Sequence, residues 1–381
     1  MKILHTGDLH LDSPFCSSGT LAADKRREMQ RENLGRIFAL AKEEKCDMIL
    51  IAGDLFDSKY VTPETEKYLK KLFSEAGIPI VISPGNHDPY VNGSFYKTAE
   101  LSDNVYIFSS NELQIFDFPE LRTRVYGYAF TGAALMENPL CGQASVDGGD
   151  GYIRLLCAHA DLSAIMSRYC SLTVGDINSL SVDYAALGHI HSRYGEDGAL
   201  PENIRYCGFP EGRSFDELGD GGVYTVEIHK GMPVNVKRHK VSVHRYEICD
   251  IDISGCADRS EVMRKLCEYI EREYPDGAVH LRIRLLGTAD TETLTGIESI
   301  ESELCEKLLS VEVKDLTVPV ADISSLSSDI SIRGALYNAL YSGLIDSDPE
   351  VRAKTLMALQ IGLAAIDGRR IPGGEDANEN T

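Results

Sequence analysis

The chain has 381 residues, of which 43% are hydrophobic and 25% charged, an ordinary globular composition. This composition excludes a wholly disordered chain and a collagen-like one, and the length predicts two or three domains. No run approaches the 18 consecutive apolar residues of a membrane-spanning helix, and the first residues lack the apolar core of a signal peptide. We therefore expect an intracellular, cytoplasmic protein with no membrane association. The ten cysteines are scattered singly, which favours buried thiols over a disulfide framework.

The net charge of −21 is spread over the whole chain. Residues 1–240 carry 24 basic and 33 acidic residues, and the remainder carries 14 and 26. Tight binding of DNA by phosphate neutralisation needs clustered Lys and Arg, so this balance argues against tight DNA binding by the chain alone. It does not exclude chemistry on phosphates, because bound metal ions would be the largest local charges.

The first half of the chain alternates strand and helix patterns. Short apolar runs predict strands that are buried on both faces, and apolar residues at i, i+3, i+4 and i+7 predict helices between them. Thr62 followed by Pro63 is typical of a helix start. The βαβαβ order predicts a layered α/β sheet. We expect strands at 2–4, 48–52, 78–82, 124–130, 152–158, 184–188, 204–209 and 222–228, and helices at 24–44 and from Pro63.

From about residue 245 the pattern becomes that of a smaller α/β unit. Strand patterns at 246–253, 279–285 and 311–313 alternate with helix patterns near 262–270 and 297–308. Two amphipathic helices follow at 331–344 and 349–366. We therefore expect a first domain at 1–240, a small α/β cap at 245–318, a C-terminal helical segment at 330–368 and a disordered tail at 372–381.

Five short polar segments each follow an apolar strand run. Loops at the carboxyl ends of strands in an α/β sheet converge on one crevice, and Asp, Asn and His offer oxygen and imidazole ligands to metals. Two divalent cations about 3.5–4 Å apart need roughly this inventory, including one carboxylate that bridges them. The segments are Gly7-Asp8-Leu9-His10, Gly53-Asp54-Leu55-Phe56-Asp57, Gly85-Asn86-His87-Asp88, Ala158-His159-Ala160-Asp161 and Gly188-His189-Ile190-His191.

Each of these segments taken alone has a structural explanation. A Gly-Asp pair is usually a turn, because glycine readily adopts positive φ, and a single histidine after a strand is seldom a ligand. Taken together, however, the five segments hold five of the ten histidines. Four of the five segments place a glycine directly before the polar residues. The joint pattern favours a metal site over five independent turns.

This ordered set resembles the calcineurin-like metallophosphoesterase superfamily, whose signature is Asp-x-His, Gly-Asp, Gly-Asn-His-Asp, His and Gly-His-x-His. The resemblance implies a layered β-sandwich flanked by helices, with two divalent metal ions. It implies that His87 is a catalytic residue facing the scissile phosphate and that Asp88 is the partner that orients its ring. The implied ligands are Asp8, His10 and His191 for one ion, Asn86, His159 and His189 for the other, and Asp54 between them.

Within the superfamily, residues 5–15 and 206–224 resemble SbcD-type DNA repair exonucleases, especially the YhaO-like group. The second stretch begins Tyr-Cys-Gly-Phe-Pro-Glu-Gly-Arg-Ser-Phe-Asp-Glu. The resemblance implies DNA as substrate and an SMC-like coiled-coil ATPase subunit that binds the C-terminal helices. We expect the docking surface to be an exposed apolar stripe of Leu356, Leu359, Leu363 and Ile366.

Two features depart from the family pattern. Some relatives carry a second histidine three residues after the bridging aspartate, where this chain has Asp57, so that role is not carried over. The acidic C-terminal third disfavours a cap that binds DNA. Arg193, two residues after His191, is a candidate phosphate contact.

We therefore expect a two-metal phosphodiesterase that acts on DNA, as the nuclease subunit of an SbcCD-like repair complex. The mixed nitrogen and oxygen ligands suit Mn²⁺, our first choice, and also Fe²⁺ or Zn²⁺. Two alternatives stay open: a small phosphate-ester or cyclic-nucleotide phosphodiesterase of the same fold, and a non-catalytic scaffold for the ATPase. The added cap and helices disfavour the first, and the intact ligand set disfavours the second. A homodimer is a further expectation.

Overall fold

The computed structural model describes residues 1–15, 20–143, 151–164, 166–192, 198–289, 297–319 and 326–366. The chain divides into two units, Met1–Arg245 and Tyr246–Thr381. Of the helices in the described ranges, none combines the length and the apolar character needed to cross a membrane.

A six-stranded sheet forms one layer of the first unit. Its strands are β1 (Lys2–Thr6), β2 (Met48–Ile51), β3 (Ile80–Ile82), β4 (Val105–Ile107), β10 (Gly222–Glu227) and β11 (Asn235–Lys240). Their order is β11-β10-β1-β2-β3-β4. The four strands β1 to β4 are parallel to one another, whereas β10 is antiparallel to both β1 and β11. The carboxyl ends of β1, β2 and β3 therefore lie side by side.

A five-stranded sheet forms the second layer of this unit. Its strands are β5 (Gln114–Phe118), β6 (Thr123–Gly127), β7 (Ile153–His159), β8 (Tyr184–Gly188) and β9 (Ile204–Tyr206), in that order. The pairs from β6 to β9 are parallel and β5 is antiparallel to β6. The ends of β7 and β8 are again adjacent.

The two sheets pack face to face, and helices cover their outer faces. The helices are α1 (Thr20–Glu43), α2 (Pro63–Ala76), α3 (Phe95–Thr98) and α4 (Val174–Ser179), with a 3₁₀ turn at Pro119–Leu121. Alternate residues of one strand face opposite layers: Leu50 belongs to the core between the sheets, while Ile49 and Ile51 belong to the core under α1 and α2. Burial on both faces explains the continuous apolar runs. The expected β-sandwich flanked by helices is confirmed.

The start of α2 follows the sequence signal. Thr62 caps the helix by accepting a hydrogen bond from the backbone N of Thr65 at 3.3 Å, and Pro63 is the first helical residue. The helix ends at Gly77, which has φ of +68°. Its residues Leu69 and Phe73 are fully buried.

The second unit contains a three-stranded sheet, a two-stranded sheet and four helices within the described ranges. The sheets are β12 (Arg245–Asp252), β13 (Val279–Leu286) and β15 (Ser310–Asp315), and β14 (Thr288–Ala289) with β16 (Val318–Pro319). The helices are α5 (Arg259–Glu273), α6 (Ile297–Leu304), α7 (Ile332–Leu344) and α8 (Pro349–Ile366). The alternation in β13 buries Leu281 and Ile283 against α5, whose Val262 and Leu266 belong to the same core.

The C-terminal helices α7 and α8 pack against each other. Leu359 and Leu363 are buried in a small core with Tyr337 and Leu326. The predicted exposed stripe is therefore wrong at these two leucines, because that face of α8 covers α7. Only Leu356 and Ile366 of the four stay partly exposed, at 37% each. The predicted tail at 372–381 and the last two residues of the predicted segment 330–368 lie outside the described residues.

Candidate metal centre

The polar segments lie where the strands of both sheets end. Asp8 and His10 follow β1, Asp54 follows β2, and Asn86 and His87 follow β3. From the second sheet, β7 ends at His159 itself and β8 ends just before His189. Main-chain contacts join these ends: Asp8 N donates to Gly53 O at 3.0 Å, and His159 Nδ1 lies 3.0 Å from Ala52 O. The expected convergence of the five segments is present.

Four of the residues in these loops have an unusual backbone conformation. Asp8, His10, Asp54 and His189 have φ of 49°, 46°, 47° and 101°. Positive φ costs a non-glycine residue roughly 1–3 kcal/mol and persists only where the surrounding structure enforces it. The loops thus hold strained conformations at the place where the polar side chains meet.

One cluster joins Asp8, His10 and His191, whose candidate ligand atoms lie within 4.8 Å of one another. The Nε2 atoms of His10 and His191 are 3.2 Å apart, and His191 Nε2 lies 4.0 Å from Asp8 Oδ1. The backbone N of His189 donates to both oxygens of the Asp8 carboxylate, at 3.0 and 3.1 Å. This cluster contains all three residues that the sequence assigned to one ion.

A second cluster joins Asp8, Asp54 and His159. His159 Nε2 lies 3.4 Å from Asp54 Oδ2 and 2.9 Å from the amide oxygen of Asn86. The same Asp54 oxygen lies 3.6 Å from His10 Nε2. Asp54 therefore stands between His10 and His159, the position that a bridging carboxylate needs.

The charges in the centre fit divalent cations. Asp8 and Asp54 are buried, and the ion pairs that the described residues form with them are with histidines. Burial alone would raise the pKa of Asp54, but His159 and His10 outweigh it and hold this pKa well below its ordinary range. Burial lowers the pKa of His159, but Asp54 and Asp8 outweigh it and raise that pKa to about 9. The buried carboxylates of Asp8 and Asp54 are thus stabilised by positive charge beside them, and the oxygen and imidazole donors suit a divalent metal.

His87 is placed at the open side of the centre, but the residue beside its ring is Asp57 and not the predicted Asp88. Its Nδ1 lies 3.3 Å from Asp57 O and 3.8 Å from Asp57 Oδ1. The Asp88 carboxylate instead accepts hydrogen bonds from Gly85 N, Phe56 N and Tyr96 Oη, at 2.8, 3.1 and 2.6 Å. Burial and the nearby Asp54 raise the pKa of Asp88 to about 7. Asp88 therefore anchors the loop, and Asp57 faces His87.

His189 and Arg193 are the two remaining residues that the sequence analysis predicted. The ring of His189 lies 5.1 Å from that of His159 and 5.0 Å from that of Tyr169. His189 does not belong to the three clusters found among the described residues, the third of which groups His10, Asp54 and His87. Burial lowers the pKa of His189 to about 4. Arg193, the candidate phosphate contact, lies outside the described residues.

Four residues of the centre were given no role by sequence reasoning. Asp57 lies 3.1 Å from His10 Nδ1, and Glu217 lies 2.7 Å from His191 Nδ1. Arg213 contacts both of these carboxylates, and the Cys207 thiol donates to Asp8 Oδ2 at 3.4 Å. Three of them belong to the stretch after β9, for which the sequence analysis noted only a resemblance to SbcD-type exonucleases. No residue spacing in that stretch points to a metal site.

The calcineurin-like phosphoesterase family profile matches residues 1–193, about half of the chain. The chain belongs to the calcineurin-like phosphoesterase family. Membership confirms the resemblance drawn from the five segments and places the protein among the phosphoesterases, which are hydrolases. The family implies divalent metal ions, for which the clusters supply candidate ligands.

Similar proteins include metallophosphoesterases and components of a nuclease. The chain is 29% identical over 327 residues to the uncharacterized metallophosphoesterase YhaO of Bacillus subtilis, covering 83% of this chain and 79% of that protein. It is 28% identical over 297 residues to the SbcD component of the nuclease SbcCD of Escherichia coli, covering 64% and 69%. A dimetal phosphatase of Danio rerio matches in structure with a TM-score of 0.38 and 10% identity, covering 63% of this chain and 96% of that one.

Proposed function

We propose that this protein is a two-metal phosphodiesterase that acts on DNA, as the nuclease subunit of a complex with an SMC-like coiled-coil ATPase. The observation that carries the proposal is the arrangement of Asp8 and Asp54, both buried, among histidines from two sheets. The similarity to the SbcD component of a nuclease from Escherichia coli supports the choice of DNA.

The proposed ligand assignment follows the family resemblance, and the clusters contain all of its charged and imidazole ligands except His189. Asp8, His10 and His191 would hold one ion, Asn86, His159 and His189 the other, and Asp54 both. Bound divalent cations would supply Lewis acidity, which activates a water molecule and neutralises charge on phosphate oxygens. The chain itself fixes the donors: the main chain of Ala52 holds the Nδ1 side of His159, so Nε2 is directed into the centre.

His87 has the placement of a group that acts on the substrate. It is the exposed member of the polar set, and its Nδ1 side faces Asp57. Among the described residues, no hydrogen bond involves Nε2 of His87. That atom can therefore stabilise negative charge on phosphate oxygens or give a proton to the leaving alkoxide.

The proposed metal is Mn²⁺, because carboxylate and amide oxygens stand beside imidazoles in the donor set. Fe²⁺ and Zn²⁺ suit the same donors. Reconstitution of metal-free protein with each ion in turn, followed by diester hydrolysis, ranks the three.

A cleft of about 350 Å³ beside His191 offers a path for a longer substrate. Its wall includes Arg238 of β11, together with Phe209 and Leu218. The flanking lysines are paired: Lys237 lies 3.0 Å from Glu44, and Lys240 lies 2.7 Å from Asp220. Arg238 donates to the carbonyl of Asp220 through Nη2 but forms no ion pair with the residues that the structure describes, so it is the proposed phosphate contact on this side.

A small phosphodiester is the second candidate substrate, and the net charge of −21 favours it. An acidic protein repels a polyanion at long range, whereas it repels a substrate with a single phosphate more weakly. Arg238 separates the two candidates, because a short ester held at the metals does not extend along the cleft.

The experiment compares a linear DNA duplex with bis-p-nitrophenyl phosphate at low salt and with Mn²⁺. The wild type is expected to hydrolyse both, and Arg238→Ala to lose about tenfold or more in DNA turnover while keeping the small diester. Lys237→Ala is the control, since this lysine is paired with Glu44. Rapid hydrolysis of the small ester with intact DNA would support the small-substrate enzyme. Hydrolysis of neither by metal-loaded protein would support the scaffold.

The partner belongs to the same proposal. We infer that the 245–318 cap helps to position DNA and that the 330–368 helices bind the ATPase. Several apolar side chains of α7 and α8 face solvent, including Ile332 and Met357, which are 68% and 56% exposed. A cytoplasmic location and a homodimer stay predictions.

A further inference from the structure

Arg213 joins two carboxylates that come from different loops of the metal centre. Its Nη1 donates to Asp57 Oδ1 at 3.0 Å, and Asp57 belongs to the loop after β2. Its Nη2 donates to Glu217 Oε1 at 2.7 Å, and its Nε lies 3.1 Å from the same oxygen. One planar guanidinium therefore fixes the distance between these two acids.

Each of the two carboxylates holds one histidine of the same cluster. Asp57 Oδ1 lies 3.1 Å from His10 Nδ1, and Glu217 Oε1 lies 2.7 Å from His191 Nδ1. Both rings are thereby turned so that their Nε2 atoms face each other at 3.2 Å. A carboxylate on the far nitrogen of a ligand histidine sets the ring's tautomer and orientation.

The loop that carries Arg213 is itself fixed. The backbone N of Arg213 donates to Glu217 Oε2 at 2.7 Å, and its carbonyl accepts from Arg26 Nη2 at 2.7 Å. Glu217 is buried, and although burial raises its pKa, His191 and Arg213 outweigh that effect and lower it to about 2. Because its donors are used on two acids, Arg213 is poorly placed to bind a phosphate.

The other half of the centre is oriented without this arginine. His159 is held at Nδ1 by the carbonyl of Ala52 on the main chain. The carboxylates that Arg213 contacts do not reach His159 in the described hydrogen bonds and ion pairs. The arginine therefore acts on one side of the centre only.

We propose that Arg213 is a positioning residue that, through Asp57 and Glu217, sets the affinity of the ion position formed by Asp8, His10 and His191. This inference rests on the two-ion site of the proposed function. Arg213 and Glu217 lie beyond the 1–193 match to the family.

The test measures metal binding. Apo-protein is titrated with Mn²⁺ against a chelator, and both the number of equivalents and their affinities are determined. Arg213→Ala is expected to weaken one equivalent by about 10–100-fold and to leave the other unchanged. Arg213→Lys keeps the charge but cannot bridge both acids, so it should weaken the same equivalent. Arg205→Ala is the control, because that guanidinium donates to the carbonyls of Pro201 and Ile204.

The results distinguish a positioning role from a structural one. A purely structural arginine would lower the melting temperature of the apo-protein and leave both affinities as in the wild type, and that result would overturn the inference. If Arg213→Ala does not fold, Glu217→Gln, which keeps the side-chain size, must weaken the same single equivalent. A wild type that binds fewer than two ions would overturn the two-ion site itself. If the variants bind two ions with wild-type affinities, only the proposed role of Arg213 is overturned.

Discussion

His87 is the residue whose role depends most on its surroundings. It lies at the open side of the centre, with Nδ1 near Asp57 and its backbone N donating to Asp54 Oδ1 at 3.0 Å. We expect His87→Ala to keep both metal equivalents and to lower diester turnover by about 10²–10³, the scale for losing one transition-state donor. Metal analysis and kinetics on one preparation check this. Loss of metal together with activity would make His87 a ligand, as its cluster with His10 and Asp54 allows.

Asp88 gives a prediction about stability at the same scale. Its carboxylate is buried and accepts a 2.6 Å hydrogen bond from Tyr96 Oη. Tyr96→Phe leaves this acceptor one donor short, so the free energy of unfolding should fall by about 1–3 kcal/mol in urea denaturation of the apo-protein. Tyr60→Phe, at a tyrosine that is 72% exposed, should change it by less than about 0.5 kcal/mol. Equal effects of the two variants would contradict the anchoring role.

The sequence predicted which residues meet in the centre better than how they pair. Asp8, Asp54 and the histidines could be found because each follows a strand, and strand ends of a layered sheet converge. The partner of His87 could not be found from the sequence. Asp88 is adjacent to His87 in the chain, but the backbone turns the Asp88 carboxylate towards Tyr96. The roles of Arg213 and Glu217 arise only from folding, which brings residues more than 150 positions from Asp57 beside it.

At the scale of elements, the strand ends come close enough that the glycines beside them have no room for a side chain. A Cβ on Gly188 would overlap the carbonyl oxygen of Ala52. Gly188→Ala should therefore cost about 1–3 kcal/mol and reduce metal content, because the loops of β2 and β8 must separate. Gly132→Ala, where no atom lies within 4 Å of the added Cβ, is the control. Thermal melting and metal analysis give both values, and normal metal content in Gly188→Ala would contradict the prediction.

The sequence predicted the buried strands well, whereas it missed the edge strands β4, β5 and β11 of the two larger sheets. Every residue of β2, β7 and β8 is buried because both faces of these strands are covered, and most of these residues are apolar. β11 was not predicted because its sequence, Asn-Val-Lys-Arg-His-Lys, has no apolar face. Charged side chains suit an edge strand, since they discourage pairing with another chain. Such a strand forms because β10 offers it a partner, which no local pattern reveals.

At the scale of the whole molecule, the proposed action on DNA meets a net charge of −21, which predicts that the chain alone holds DNA weakly and needs a partner for affinity. The C-terminal helices are the proposed dock, with buried Leu359 distinct from exposed Leu356 and Met357. We expect a double variant, Leu356→Asn with Met357→Asn, to melt like the wild type and to lose the ATPase in a pull-down. Leu359→Ala should instead lower stability by about 2–5 kcal/mol. Capture of the ATPase by the double variant would contradict docking through this face.

Sharing of the Asp54 carboxylate by two ions is the core of the proposed function. The measurement that tests it most directly is the number of metal equivalents per chain, by inductively coupled plasma spectrometry, in the wild type and in Asp54→Ala. The Asp54 carboxylate lies between His10 and His159, and without it two cations would face each other unshielded. We predict two equivalents in the wild type and loss of both in the variant. Loss of only one equivalent would contradict the bridging carboxylate, and a wild type that binds no metal would contradict the whole account.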